Sequence, residues 1–157
     1  MKIGAERAGR DRRTLDIGAW CVITCGPDSE KAKTAARSIV AFYIPSMPEE
    51  QIRLQGLDPA EMNEIVAALG KGQLDKAYEL TTPEIAETLS IAGTPDECAA
   101  RIKAIEEAGV NHMICCITDP YILKAFTGKD VDVPDVQSQL RLIAEEVIAA
   151  FAPASAA

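Results

Sequence analysis

A near-continuous apolar run from Leu15 to Thr24 (LDIGAWCVIT) ends in Cys25-Gly26-Pro27, the pattern of a strand buried on both faces of a parallel sheet. Asp28 or Ser29 can cap the helix that follows. Its Ala32, Ala35, Ala36, Ile39, Val40 and Tyr43 recur at helical spacing, opposite Lys31, Lys33 and Arg37, and Pro45 stops it. From Ser46 to about residue 88 the pattern turns helical without a clear strand. Ser46-Met47-Pro48-Glu49, Asp58-Pro59-Ala60-Glu61 and Thr82-Pro83 open short helices, and Met62, Ile65, Val66 and Leu69 form one apolar stripe. Residues 46–88 therefore read as a helical insertion.

Leu89 to Gly93 is a short strand candidate that runs into Thr94-Pro95-Asp96-Glu97. Here Thr caps, Pro takes the first helical position and Glu reaches back to the cap. The helix it opens carries Cys98, Ala99, Ile102 and Ile105 on one face and ends at Ala108-Gly109. Val110 to Thr118 (VNHMICCIT) then reads as another buried strand, closed by Asp119-Pro120. A loop with Gly128 and Pro134 leads to a last helix from Asp135, with Val136, Leu140, Ile143, Ala144, Val147, Ile148 and Phe151 at helical intervals. Residues 152–157 are expected to fray. Strands alternating with helices imply parallel pairing through right-handed crossovers, an α/β architecture.

A chain of 157 residues is one domain, 1–157, large enough to bury a core without disulfide or metal staples. Sixteen basic residues against 24 acidic ones give a net charge of −8, which opposes the counterion release that drives nucleic-acid binding. No nucleic-acid partner is expected. The longest apolar run is too short for a membrane span and no secretory signal opens the chain, so a cytoplasmic location without a membrane partner is the expectation.

The five cysteines make an odd count with no C-x-x-C spacing. On an extended strand Cys21 and Cys25 lie roughly 13 Å apart, too far to share a metal. Cys115 and Cys116 point to opposite faces of theirs. No metal site is expected. His112, the single histidine, has no Ser, Cys or Asp in a catalytic order around it and reads as structural. Phosphate-loop, dinucleotide, serine-hydrolase and zinc-protease motifs are all missing from the sequence.

The segment IAGTPDECAARIKAIEEAGVNHMICC, Ile91 to Cys116, resembles the penultimate helix and final strand of the luciferase-like (β/α)₈ barrels, where an A-G-T-P-x-E turn opens a helix and A-G-V leads into the last strand. GAERAGRDRRTLDIGAWCVIT, Gly4 to Thr24, resembles that family's fifth helix, A-G-R-D turn and sixth strand. The region of Glu145, Glu146 and Val147 resembles its last helix. The subgroup most similar is that of the methylenetetrahydromethanopterin reductase-like oxidoreductases, which use coenzyme F420.

The resemblance implies a partial TIM barrel, the C-terminal half, with about three parallel strands as adjacent staves. A complete barrel has eight strands and typically about 250 residues. It implies hydride transfer between reduced deazaflavin and a small acceptor, with F420 as cofactor, or FMN if the chain is a luciferase-like monooxygenase. Most contacts to the cofactor ring and phosphate in that family come from the first five strands, which have no counterpart here. An open barrel face is expected to need cover from an N-terminal half-barrel or a second copy, and a non-catalytic half that completes its site with a partner is the further alternative.

Working groups of such barrels sit at the carboxyl ends of strands. That rule selects Thr24, Cys25 and Gly26, then Gly93 and Thr94, then Thr118 and Asp119, of which Thr24, Gly93, Thr94 and Thr118 are taken as cofactor-binding candidates. Thr94 is also explained as a helix cap and Asp119 as a turn residue. Trp20 is a further cofactor-binding candidate if it faces the lumen, with core packing as its other role. A small-molecule substrate is implied; no catalytic residue is assigned.

Overall fold

The computed structural model describes residues 2–128, 130 and 132–151, so the expected fraying of 152–157 lies outside the described residues. A short helix α1 (Lys2–Arg7) and a tight turn at Arg12–Thr14 precede strand β1 (Gly18–Cys25). Asn111 fixes the entry to that strand: its Oδ1 accepts from the Ile17 N–H at 2.7 Å and its Nδ2 donates to the Leu15 carbonyl at 2.8 Å. Helix α2 (Ser29–Tyr43) follows, capped by Asp28, whose side chain accepts from the Lys31 N–H.

Residues 46–88 form α3 (Glu49–Leu54), α4 (Pro59–Gly70), α5 (Leu74–Leu80) and α6 (Pro83–Leu89). Their Ile52, Met62, Ile65, Ala77 and Ile85 share one apolar cluster with Val40 and Ile44, so the segment packs directly on the end of α2. Each fully buried Ile or Met there contributes about 1.5–3 kcal/mol of transfer free energy. Arg37 joins α2 to α5, because its guanidinium donates to the Thr81 carbonyl at 2.5 Å and the Tyr78 carbonyl at 3.0 Å while lying 4.4 Å from the Tyr78 ring centre.

Strand β2 (Ser90–Gly93) leads through the Thr94 cap into α7 (Pro95–Glu107), and β3 (His112–Ile117) follows. The stretch after Asp119, expected as loop, contains a helix, α8 (Pro120–Thr127). Asp119 caps it, Pro120 occupies its first turn, and Gly128 closes it in the left-handed region at φ 65°. The last helix, α9 (Val136–Leu142), passes into a π turn at Ile143–Val147 and a 3₁₀ turn at Ile148–Phe151. Of its expected apolar stripe only Val147 is fully buried; Leu140 and Ile148 are exposed. The π turn breaks the 3.6-residue period on which the stripe depends.

The three strands are parallel, as expected, and the sheet order is β2-β1-β3. The three lie side by side with β1 in the middle, and β2 and β3 do not pair. β1 pairs with β2 along Val22–Cys25 on one edge and with β3 along Gly18–Ile23 on the other. Cys21, Ile23 and Cys25 face α7 and the C-terminal helix through Cys98, Ile102 and Val147, while Trp20, one residue away, meets Tyr43 of α2.

Burial along the strands is uneven. The second half of β1 is buried but Gly18 and Trp20 are exposed, and β3 is largely open, with Ile114 56% exposed. The expectation of a fully buried last strand fails: β3, unlike the other edge strand β2, is only partly covered by the helices. Among the described residues no helix is long and apolar enough to cross a membrane.

Candidate functional site at the carboxyl ends of the strands

Thr24, Gly93 and Thr118 converge at the carboxyl edge of the sheet. The Thr24 and Thr118 hydroxyls bond each other at 2.6 Å, and Cys25 is in register with Gly93, whose carbonyl accepts from the Gly26 N–H at 3.1 Å. All of these strand-end side chains are buried. Gln139 of α9 closes the cluster from above, its Nε2 donating to the carbonyls of Thr118 and Pro134, each at 2.8 Å. Gly26 packs closely here: a Cβ at that position would meet the Pro134 ring at 3.3 Å, a tight contact. Lys31 pairs with Asp132, which ties the same loop to the first turn of α2 and holds the Asp132 carboxyl below its ordinary range.

Thr94 sits beside this cluster as a complete capping box. Its hydroxyl accepts from the Glu97 N–H at 3.4 Å, and Glu97 Oε2 accepts from the Thr94 N–H at 2.8 Å. That backbone bond, assisted by Lys33, lowers the Glu97 pKa below the usual glutamate value. Gly93 adopts φ 146°, and a side chain there would press on the Glu97 carboxylate. Both residues are thus engaged in starting α7.

Trp20 stands apart, toward the other end of β1. It is 46% exposed, with its ring centre 4.2 Å from that of Tyr43 and the planes tilted by 58°. Core packing does not describe it: Trp20 and Tyr43 border a cavity of about 940 Å³ that also reaches Arg101 and Ile105 of α7 and Gln51 of α3. Tyr43 carries a raised pKa because burial and Cys116 disfavour its phenolate.

The thiols divide by face. Cys25 and Cys98 are buried against one another, and that contact, with burial, pushes the Cys98 thiol far up. Cys21 and Cys115 are register partners on β1 and β3, and partial burial raises the Cys21 thiol. His112 is exposed, with Nδ1 3.3 Å from Asp16 Oδ2.

A cofactor cradle is not complete in these residues. The Thr24 and Thr118 hydroxyls satisfy each other, and the N-terminus of α2, one source of free N–H groups for a phosphate, carries Asp28 as its cap and Glu30 in its first turn. Sequence reasoning missed Gln139 and Asn111, whose roles depend on contacts across 21 and 94 positions of the chain.

Residues 1–112 match the family model described as luciferase-like monooxygenase. The chain belongs to that family. It is 31% identical over 92% of its length to a 5,10-methylenetetrahydromethanopterin reductase of Methanolobus tindarius, and 29% identical over 94% to the enzyme of that name from Methanopyrus kandleri. A solved structure of coenzyme F420-dependent tetrahydromethanopterin reductase from Methanopyrus kandleri matches 94% of this chain with a TM-score of 0.73. An F420-dependent glucose-6-phosphate dehydrogenase of Tsukamurella paurometabola is 30% identical over 72% of the chain. The fold is part of the reductase fold: the chain spans about 40% of the length of the reductases it matches.

Proposed function

We propose that this chain forms part of an F420-dependent oxidoreductase of the methylenetetrahydromethanopterin reductase type, moving a hydride between reduced deazaflavin and a small one-carbon-bearing acceptor. One observation carries the reading: the similarity to the reductases runs over nine-tenths of this chain. The deazaflavin supplies the hydride chemistry when bound, while the protein's part is orientation and exclusion of water. Thr24, Gly93, Thr94 and Thr118 frame the carboxyl edge. Cofactor and substrate contacts then come chiefly from the three-fifths of a reductase that this chain does not match, so the chain acts with that complement.

The family's description as luciferase-like monooxygenase favours one second reading, an FMN-dependent oxygenase. Visible absorbance separates the two. The chain co-produced with the unmatched portion of the Methanopyrus kandleri reductase is expected to copurify with, or bind, the deazaflavin. Bound FMN, with no affinity for F420, would decide for the oxygenase.

A further inference from the structure

Gly18 and Trp20 expose an unpaired stretch of strand edge. Ile17 accepts from the His112 N–H and Ile23 from the Thr118 N–H, so the odd-numbered residues of β1 bond toward β3. By the alternation of a parallel ladder, the N–H and C=O groups of the even-numbered ones point the other way. Val22 and Thr24 find β2 there, but β2 reaches no further down than the Val22–Ser90 pair. Among the described residues no strand meets Gly18 or Trp20 on that side.

This edge forms the floor of the 940 Å³ cavity, a notch directly below β2. Tyr43, Met47, Leu89, Ile105 and Ala108 line it, together with Arg101, whose Nη2 donates to the Thr88 carbonyl at 3.2 Å. Three residue steps of strand span about 10 Å, the length of the open edge from Gly18 to Cys21. A slot whose lining mixes apolar side chains with Gln51, Gln55 and Arg101, along a row of regularly spaced backbone donors and acceptors, has the chemistry of strand addition.

We propose that this notch accepts an extended strand from the reductase-type polypeptide that the chain does not match, pairing with Gly18 and Trp20 in line with β2. The inference rests on the function proposed above and specifies where the complement docks. The occupant follows from length as well as shape: about three-fifths of each matched reductase lies outside the similarity, and the exposed groups need backbone to satisfy them. Apolar side chains of that strand would cover Trp20 and Ile105, removing the exposed tryptophan face.

Amide hydrogen exchange on the isotopically labelled chain tests this, with short synthetic peptides tiled through the unmatched portion of the Methanopyrus kandleri reductase as probes. At least one peptide is expected to slow exchange at Gly18 and Trp20 by about tenfold or more. Gly18→Pro, which removes one donor at a strand's first position, is expected to weaken that peptide's binding while the thermal midpoint of the chain holds. Protection confined to the outer edge of β3 would overturn the assignment, as would protection by a peptide of this chain's own residues 112–117 alone, which would indicate a second copy. No protection by any peptide would overturn it too. Those outcomes leave the cofactor measurement untouched, whereas loss of deazaflavin binding with intact peptide binding would count against the function and not the notch.

Discussion

The hydroxyls of Thr24 and Thr118 bond each other at 2.6 Å, fully buried, where the central strand β1 and the edge strand β3 end. Neither hydroxyl has water to fall back on, so removing one leaves the other unsatisfied. Thr24→Val or Thr118→Val alone is expected to cost about 1–3 kcal/mol, and the double substitution less than the sum, because paired removal leaves no orphan. Urea unfolding of the four proteins of the cycle measures this; additive losses would mean that the two hydroxyls are not coupled.

Glu97 makes the start of α7 sensitive to acid. Its pKa is lowered in the fold, chiefly by the Thr94 N–H, so its contribution to stability is present above the ordinary glutamate value and is lost as pH falls through the lowered one. Glu97→Gln should flatten the stability profile over that acidic window and leave the neutral region with a smaller change. Denaturant midpoints at a series of pH values distinguish the two proteins, and parallel profiles would argue against the capping role.

Arg37 spreads its guanidinium over the carbonyls at the end of α5 and the face of Tyr78. Lysine keeps the charge but not the planar fork. Arg37→Lys should therefore destabilise the chain by about 1–2 kcal/mol, with Arg37→Ala costing more. Equal midpoints for Arg37→Lys and the parent would contradict this reading of α2 and α5.

The cysteines should separate by accessibility. Cys115 is exposed, Cys21 and Cys116 are half-buried, and Cys25 and Cys98 are sealed in the core. Alkylation of the native chain followed by mass mapping is expected to label Cys115 first, with Cys25 and Cys98 reacting only on unfolding. Early labelling of Cys98 would mean that the packing of α7 on β1 opens readily.

Much of this fold was legible in local chemistry. The Thr94-Pro95-Asp96-Glu97 signal gave the start of α7 to the residue, and apolar runs located all three strands to within a few positions. Neighbour order was not legible, because a hydrophobic pattern says that a strand is buried but not which strand lies beside it. The same limit explains Trp20 and Ile114: both sit in apolar runs, yet one borders the gap left by a four-residue β2 and the other lies on an edge strand only partly covered by the helices. Helix α8 was readable in principle, since Asp119-Pro120 and Gly128 bracket it, but a loop rich in Gly, Pro and Asp masked the signal. At the carboxyl edge the strand-end rule found Thr24, Gly93 and Thr118, whereas Gln139, which seals them, left no local signature.

Equilibrium binding of oxidised F420, followed by its visible absorbance, tests the central claim most directly. The account predicts no saturable binding by this chain alone, whose Thr24 and Thr118 are closed to ligand, and saturable binding once it is co-produced with the unmatched portion of the Methanopyrus kandleri reductase. Tight binding and turnover of the reduced cofactor by the isolated chain would contradict it.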